Sequence, residues 1–152
     1  PAFAAKRVDG ISPVTSEFVS LRAKGIDSQI VALADTSAGA DVILANSDIA
    51  SIQQLKGRRV GVQSGGVGHF FLLQVLNSAG LVENDVRLVE LGSQDAATAW
   101  QTNQVDACYS GSPFSDAALK VKPTGKVLAS TKDFPTAIAD LYVFHKNLIE
   151  SN

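Results

Sequence analysis

At 152 residues, 45% of them hydrophobic and 18% charged, with a formal net charge of −2, the chain is of ordinary size for one domain and apolar enough to bury a core. That balance excludes wholesale disorder, and dispersed acids and bases give no basic face of the kind nucleic-acid binding uses. No apolar run approaches the roughly 18 residues that a bilayer span needs, so no direct membrane insertion is expected. Neither a signal peptide nor a twin-arginine segment is visible, and the opening "PAFAAKRVDGI" reads as the middle of a domain. Cys108 is the lone cysteine, which rules out an intramolecular disulfide. With only two histidines, His69 and His145, far apart in sequence, neither a metal site nor a cofactor is expected. Cys108 in "VDACYSG" reads as a buried thiol.

In chain order, "SQIVALA" (residues 28–34) and "DVILA" (41–45) read as strands. Between them "TSAGA" (36–40) is a short joint of small residues, a candidate hinge. "SDIASIQQLKG" reads as a short helix, capped by Ser47 or Asp48 and ended by Gly57. "RRVGVQ" is the next strand, and an apolar helix follows until Gly80 stops it. "DVRLVEL" (85–91) alternates as a strand does. "SQDAATAWQTNQ" is a helix with Ser93 as its cap, and "VDACYS" is a strand. "SPFSDAALKV" starts a helix, with Ser112 as cap and Pro113 at the first helical position, where a missing N–H costs nothing. "GKVLAS" and "ADLYVFHK" close the chain as strands. Such alternation implies an α/β fold of three layers, a doubly wound and mainly parallel sheet with helices on both faces.

Ligands of open α/β sheets sit outside the carboxyl ends of the strands. The glycine-rich elbow "QSGGVGH" lies at such an end. Its glycines let backbone approach a ligand, and the helix behind it offers unpaired N–H groups and the positive end of its dipole. Ser64 adds a hydroxyl and His69 a second donor. The other reading of the same stretch is a tight strand-to-helix turn and nothing more. The elbow is not a phosphate loop of the Walker type, since no Lys-Ser/Thr follows, nor a dinucleotide fingerprint. A second strand end, "CYSGSPFSD", brings Ser110 and Ser112 to a helix mouth between Tyr109 and Phe114, which suits a small polar or aromatic ligand. For Ser112 an ordinary cap is the competing role. The third, "LGSQDA", carries Ser93, Gln94 and Asp95. No acid stands near Ser64 and His69 in sequence to complete a triad, and "QSGG" is not a nucleophile elbow. Catalysis is therefore not expected.

"SIQQLKGRRVGVQSGGVGHFFLLQVLNSAGL" resembles the entry into the second lobe of periplasmic substrate-binding proteins of the nitrate/sulfonate/taurine and thiamine-precursor group, the SsuA/TauA and NMT1/THI5-like proteins. The helix-ending turn is Gln54-Leu55-Lys56-Gly57-Arg58. "DVRLVELGSQDAATAWQTNQVDACYSGSPFSDAAL" is similar to the family's next strand, helix, G-x-V-D-A step and proline elbow. Asn103-Gln104-Val105-Asp106-Ala107 stands for the step, with Gln104 where the family often has Gly, and Ser112-Pro113-Phe114 for the elbow. Ser110-Gly111 stands in place of a bulkier tryptophan-containing elbow. "GKVLAS" and "DFPTAIADLYVFHKNLIE" look like the last strand and the return to the first lobe.

The resemblance implies a lobe of the periplasmic-binding-protein type II fold, divided as a remnant of the first lobe with the first hinge crossing (residues 1–45), the α/β ligand-binding lobe (46–136) and a return hinge strand (137–152). It implies a solute-binding module that captures a small organic or oxyanion ligand and delivers it to an ABC permease outside the cytoplasm, with no enzymatic activity. By position in the motifs, ligand contacts would come from Ser64, Gly65, Gly66 and His69, from Ser110, Ser112 and Phe114, and on the opposite wall from Ser12, Thr15, Thr36 and Ser37. A ligand-sensing domain of a regulator shares the fold and is the alternative function. An enzyme of the thiamine-pyrimidine type would need more histidines than the chain has. Hinge strands that expose apolar faces would also favour a homodimer through the first-lobe remnant.

Overall fold

The alternation of strand and helix patterns resolves into two sheets joined by two chain crossings. The computed structural model describes residues 2–150. Its larger sheet has five strands: β3 (Asp41–Ala45), β4 (Arg59–Val62), β5 (Arg87–Glu90), β6 (Ala107–Gly111) and β7 (Lys126–Ser130), in the order β5-β4-β6-β3-β7. Strand β4 pairs parallel to both β5 and β6, whereas β3 runs antiparallel to β6 and β7. Four strands therefore share one direction and β3 opposes them.

Helix α2 (Val67–Ser78) covers one face of this sheet, and α3 (Ser93–Gln101) with α4 (Phe114–Val121) covers the other. The two-residue period of β6 divides the cores. Tyr109 faces the α2 side with Val60, Val62, Phe71 and Leu72, while Cys108 faces the α3 side with Leu44 and Trp100. These are the three layers expected of the sequence. The stretch read as a helix over "SDIASIQQLKG" contracts to one 3₁₀ turn, Ile52–Leu55, whose Leu55 is fully buried. Asp48, one of its two candidate caps, instead pairs with Arg58 at 2.9 Å.

The smaller sheet is antiparallel, in the order β1-β8-β2: β1 (Gly10–Ile11), β8 (Ala139–His145) and β2 (Ser28–Thr36). Helix α1 (Thr15–Ala23) and the N-terminal segment cover one of its faces. There Phe3 stacks on His145 with ring centroids 4.0 Å apart, and His145 Nε2 lies 3.0 Å from the Phe3 carbonyl. A last helix, α5 (Lys146–Glu150), follows β8. The sequence reading had no element for β1, α1 or α5. Strand β3 lies inside the five-stranded sheet between β6 and β7. Residues 37–40 make one crossing, from β2 to β3, and residues 131–138 make the other, from β7 to β8.

Candidate functional site

Three parallel strands, β4, β5 and β6, end side by side and each turns directly into a helix. The elbow after β4 needs glycine at one point: Gly65 has φ +72°, a left-handed conformation that L side chains avoid. Gly66 is then the N-cap of α2. The elbow closes mostly on itself. The Ser64 N–H donates to both oxygens of the Glu90 carboxylate, at 3.0 and 3.1 Å, the Gly65 N–H donates to His69 Nδ1 at 3.1 Å, and the Gly66 N–H donates to the Gln63 carbonyl at 3.3 Å. What remains open is the first turn of the helix itself, where the amides of Val67, Gly68 and His69 have no acceptor among the described residues.

Val67 and Gly68 border a cavity of about 140 Å³, lined with them by Gln63, Gly66, Ser93 and Tyr109. Gly68 is required by its neighbour: a Cβ there would lie 2.2 Å from Tyr109 Cδ1, so the phenol ring occupies the place of a side chain. Burial pushes the Tyr109 phenol pKa up, and its hydrogen bond to Asp41 and the charge of that carboxylate add to the effect. Tyr109 therefore stays a neutral phenol whose hydroxyl donates to Asp41 and whose ring faces the cavity.

Of the expected site residues, Gly66 lines this cavity and Ser64 and Gly65 shape the turn beside it. One nitrogen of His69 is engaged within the lobe: Nδ1 accepts the Gly65 N–H, whereas the buried Nε2, 3.4 Å from Glu83 Oε2, has no hydrogen-bond partner. Ser110 is fully buried; its hydroxyl donates to the Ser93 carbonyl at 3.3 Å, while Ser93 Oγ accepts the Gly111 N–H at 3.0 Å. Ser110 thus backs Ser93, and Ser93, now the first residue of α3 behind Gly92, is the one at the cavity.

The cap expected at Ser112 is absent. The Ser112–Pro113 peptide is cis, Pro113 takes the cap position, and the Ser112 hydroxyl bonds Asp116. Phe114 stands 39% exposed at the start of α4.

Thr36 and Ser37 line a second cavity, of about 360 Å³, with Val14, Asp35, Asp41, Val67 and Asp140. Val67 borders both cavities, which makes the crossing and the elbow neighbours. Thr15 lies at the start of α1, where its hydroxyl bonds the carbonyl and the N–H of Ala139 at 3.2 and 3.1 Å. Ser12 is exposed just before it. Neither Thr15 nor Ser12 lines either of these cavities.

The lining residues that sequence reasoning passed over are Val67 and Asp41; Gln63 and Gly68 were placed in the elbow without a contact of their own, and Tyr109 was seen only as a flank. One signal for the Gly68–Tyr109 pair was present: a glycine in the first turn of an otherwise apolar helix, opposite a bulky residue whose strand parity points it at that helix.

Remaining titratable groups near these strands have structural surroundings. Burial pushes the Cys108 thiol up to about 12, which leaves it protonated and inert. Lys122 Nζ lies 2.7 Å from Asn46 Oδ1 and Asn103 Oδ1, 2.8 Å from the Trp100 carbonyl and 4.7 Å from the Trp100 ring centroid. Among the described residues no group of three or more His, Cys, Asp or Glu side chains could hold a metal ion. No helix there is long and apolar enough to cross a membrane.

A helix-flanked sheet of order β5-β4-β6-β3-β7, entered and left by two crossings, with its pocket at the strand ends, defines one lobe of a type II periplasmic-binding fold. The chain belongs to the NMT1/THI5-like family, whose family model matches residues 17–152. It is 37% identical over 100 residues to an Escherichia coli (strain K12) protein named as an aliphatic sulfonates-binding protein, a match covering 64% of this chain and 31% of that one. It is 24% identical over 127 residues to the taurine-binding periplasmic protein of the same organism, covering 82% of this chain and 39% of the relative. The crystal structure of the periplasmic aliphatic sulphonate binding protein SsuA from Escherichia coli superposes with a TM-score of 0.81 at 30% identity, over 99% of this chain and 52% of that one. The chain thus spans about a third of those curated relatives and about half of the solved one. These relatives are named as binding proteins.

Proposed function

We propose that this chain is the ligand-gripping lobe, with its two crossings, of a solute-binding protein that captures a small organic or oxyanion ligand for import by an ABC permease. In this reading the lobe runs over residues 41–136, the flanking segments belong to the first lobe and its crossings, and the protein works in the periplasm as a binder rather than an enzyme. The observation that carries the reading is the cavity at the ends of β4, β5 and β6. It gathers the open amides of the α2 first turn, the Ser93 hydroxyl and the edge of a neutral phenol around a space the size of a small head group. Donors without an opposing base suit capture of an acceptor-rich group, and no proton-transfer pair lines the cavity. Of the residues carried over from the family, Gly66 would contact the ligand here, joined by Val67 and Ser93 from the cavity wall, with Ser64 and Gly65 setting the turn. Thr36 and Ser37 would face it from the crossing side.

The relatives named for aliphatic sulfonates and for taurine make small sulfonates the first probes. Titration of ¹⁵N-labelled chain with ethanesulfonate, taurine and nitrate is expected to shift the Val67, Gly68 and Ser93 amides in a saturable way for at least one of them. Binding at a hundredfold excess over Kd would also stabilise the fold by about 2.7 kcal/mol, visible as a raised melting midpoint. If these amides respond to none of the three, the ligand class is wrong. The exposed apolar edge of β2 also suits self-association with a second copy of the chain.

A further inference from the structure

We infer that Tyr109 is a positioning residue of the pocket, linked through Asp41 and Ser37 to the crossing between the two sheets. The inference rests on the pocket being the ligand site, and it adds a route by which the crossing and the pocket floor move together. Tyr109 faces Ile43 in the β3–β6 ladder, whereas Asp41 faces Gly111, so the phenol reaches diagonally along the sheet to find its partner. Its hydroxyl donates to Asp41 Oδ1 at 2.5 Å. The other oxygen of the same carboxylate, Oδ2, accepts the Ser37 hydroxyl at 2.6 Å. Ser37 Oγ also lies 2.9 Å from Thr131 Oγ1, which accepts the Gly39 N–H at 2.8 Å, and the Ser37 N–H donates to the Ile138 carbonyl at 3.0 Å. Thr131 is fully buried. One carboxylate thus gathers the outgoing crossing (Ser37 and, through Thr131, Gly39), the returning one (Thr131 and Ile138) and the ring that forms the cavity floor.

The ring has little freedom of its own. It is 8% exposed, it fills the space opposite Gly68, and Phe71 meets it edge-on with centroids 6.5 Å apart. A buried phenol needs an acceptor, and a carboxylate is a strong one. Displacing the crossing carries Asp41 with it and removes the partner that fixes the tilt of the ring beneath the Val67 and Gly68 amides.

The test uses the 152-residue chain and three variants. Tyr109→Phe keeps the ring and deletes the link, Asp41→Ala deletes it from the other side, and Asp41→Asn keeps an acceptor and serves as the conservative rescue. Amide hydrogen exchange is followed residue by residue, together with ethanesulfonate titration. In Tyr109→Phe and Asp41→Ala the Ser37 and Gly39 amides are expected to exchange about tenfold faster, with core amides such as Val60 unchanged, and Asp41→Asn to fall between them and the parent. The Val67 and Gly68 amide shifts should move in Tyr109→Phe although the ring is retained. Unchanged exchange at Ser37 and Gly39, or an equal acceleration at Val60, overturns the link. If the parent binds no ethanesulfonate while the crossing exchange still rises, the ligand class fails and the link stands. If ethanesulfonate binds and the crossing is indifferent to both substitutions, the reverse holds.

Discussion

Gly66 and Gly68 stand two residues apart and do different work. At Gly66 φ is −88° and a Cβ would meet only the Gln63 carbonyl at 3.4 Å, an ordinary contact. Gly66→Val is therefore expected to fold with a melting midpoint within a few degrees of the parent, while its side chain crowds the mouth of the cavity and weakens any ligand held on the α2 amides. Calorimetry would show the two effects separately, and equal affinity in parent and variant would reduce the elbow to a turn. At Gly68 the added methyl collides with the Tyr109 ring at 2.2 Å. Since Phe71 and Asp41 hold that ring on other sides, Gly68→Ala should destabilise by about 1–3 kcal/mol, as overpacking of a filled core does. A thermal melt within a degree of the parent would show that the ring yields easily. The sequence displayed both glycines but not their difference, because the neighbour that makes Gly68 obligatory is some forty residues away along the chain. His69 likewise shows only half of its role in the sequence: its Nδ1 accepts the Gly65 N–H, while its buried Nε2, 3.4 Å from Glu83 Oε2, has no hydrogen-bond partner.

Helix α2 shows how periodicity yields an element and also limits what can be read from it. Gly68, Phe71, Leu72, Val75 and Leu76 are its buried positions, spaced three and four residues apart, and they lie on one face of the helix. Phe71→Ala should cost about 3–5 kcal/mol and loosen the Tyr109 wall as well, because the ring packs edge-on against both Tyr109 and Phe134. Denaturant melts would measure it, and a loss near 1 kcal/mol would mean that the core collapses into the space. Strands β2 to β8 were legible for the reason α2 was, since β-branched runs were bounded by turn residues. Strand β1, α1 and α5 were not. Strand β1 is two residues long, and α1 buries no residue fully, so neither writes a clear pattern.

The V-D-A step has a physical meaning that motif reading did not supply. The Asp106 carboxylate accepts from the Arg59 backbone N–H at 2.9 Å and from its guanidinium at 2.9 and 3.2 Å, tying the start of β4 to β6 at the end of the sheet away from the pocket. Arg59 holds the Asp106 carboxyl below its usual range. A depressed folded pKa gives stability that is present above the unfolded value, about 3.9, and is lost as pH falls through the folded one. Asp85, lowered by its bonds to Val82 and Lys56, acts in the same sense. Asp106→Asn should thus destabilise the chain at pH 7 more than at pH 3. Urea midpoints at the two pH values would test this, and an equal loss at both would assign the effect to packing.

At the scale of the whole molecule the smaller sheet is unevenly covered. Alternate residues of β8 (Ala139, Leu141, Val143 and His145) are buried beneath α1 and Phe3. Strand β2 lies at the sheet edge, nine residues long, and eight of those residues are exposed, Ile30, Val31 and Leu33 among them, with Tyr142 of β8 exposed beside it. A long edge of apolar residues with one row of backbone groups unpaired is a template for another strand. The N-terminal segment does not shield it, because Phe3 is already committed to β8. The solved relative is about twice as long, and further chain could cover the same edge. For the 152-residue chain a second copy is the available partner, and antiparallel pairing of two β2 strands about a two-fold axis joins the sheets without exchanging the N-terminal segment. Light scattering across a micromolar dilution series is expected to show a dimer. Leu33→Lys places a charge on the edge and should return it to a monomer with its melting midpoint little changed, because Leu33 is 60% exposed. A monomer at every concentration would discard the pairing. A dimer that survives Leu33→Lys but is lost when residues 1–9 are deleted would move the interface from the β2 edge to the N-terminal segment.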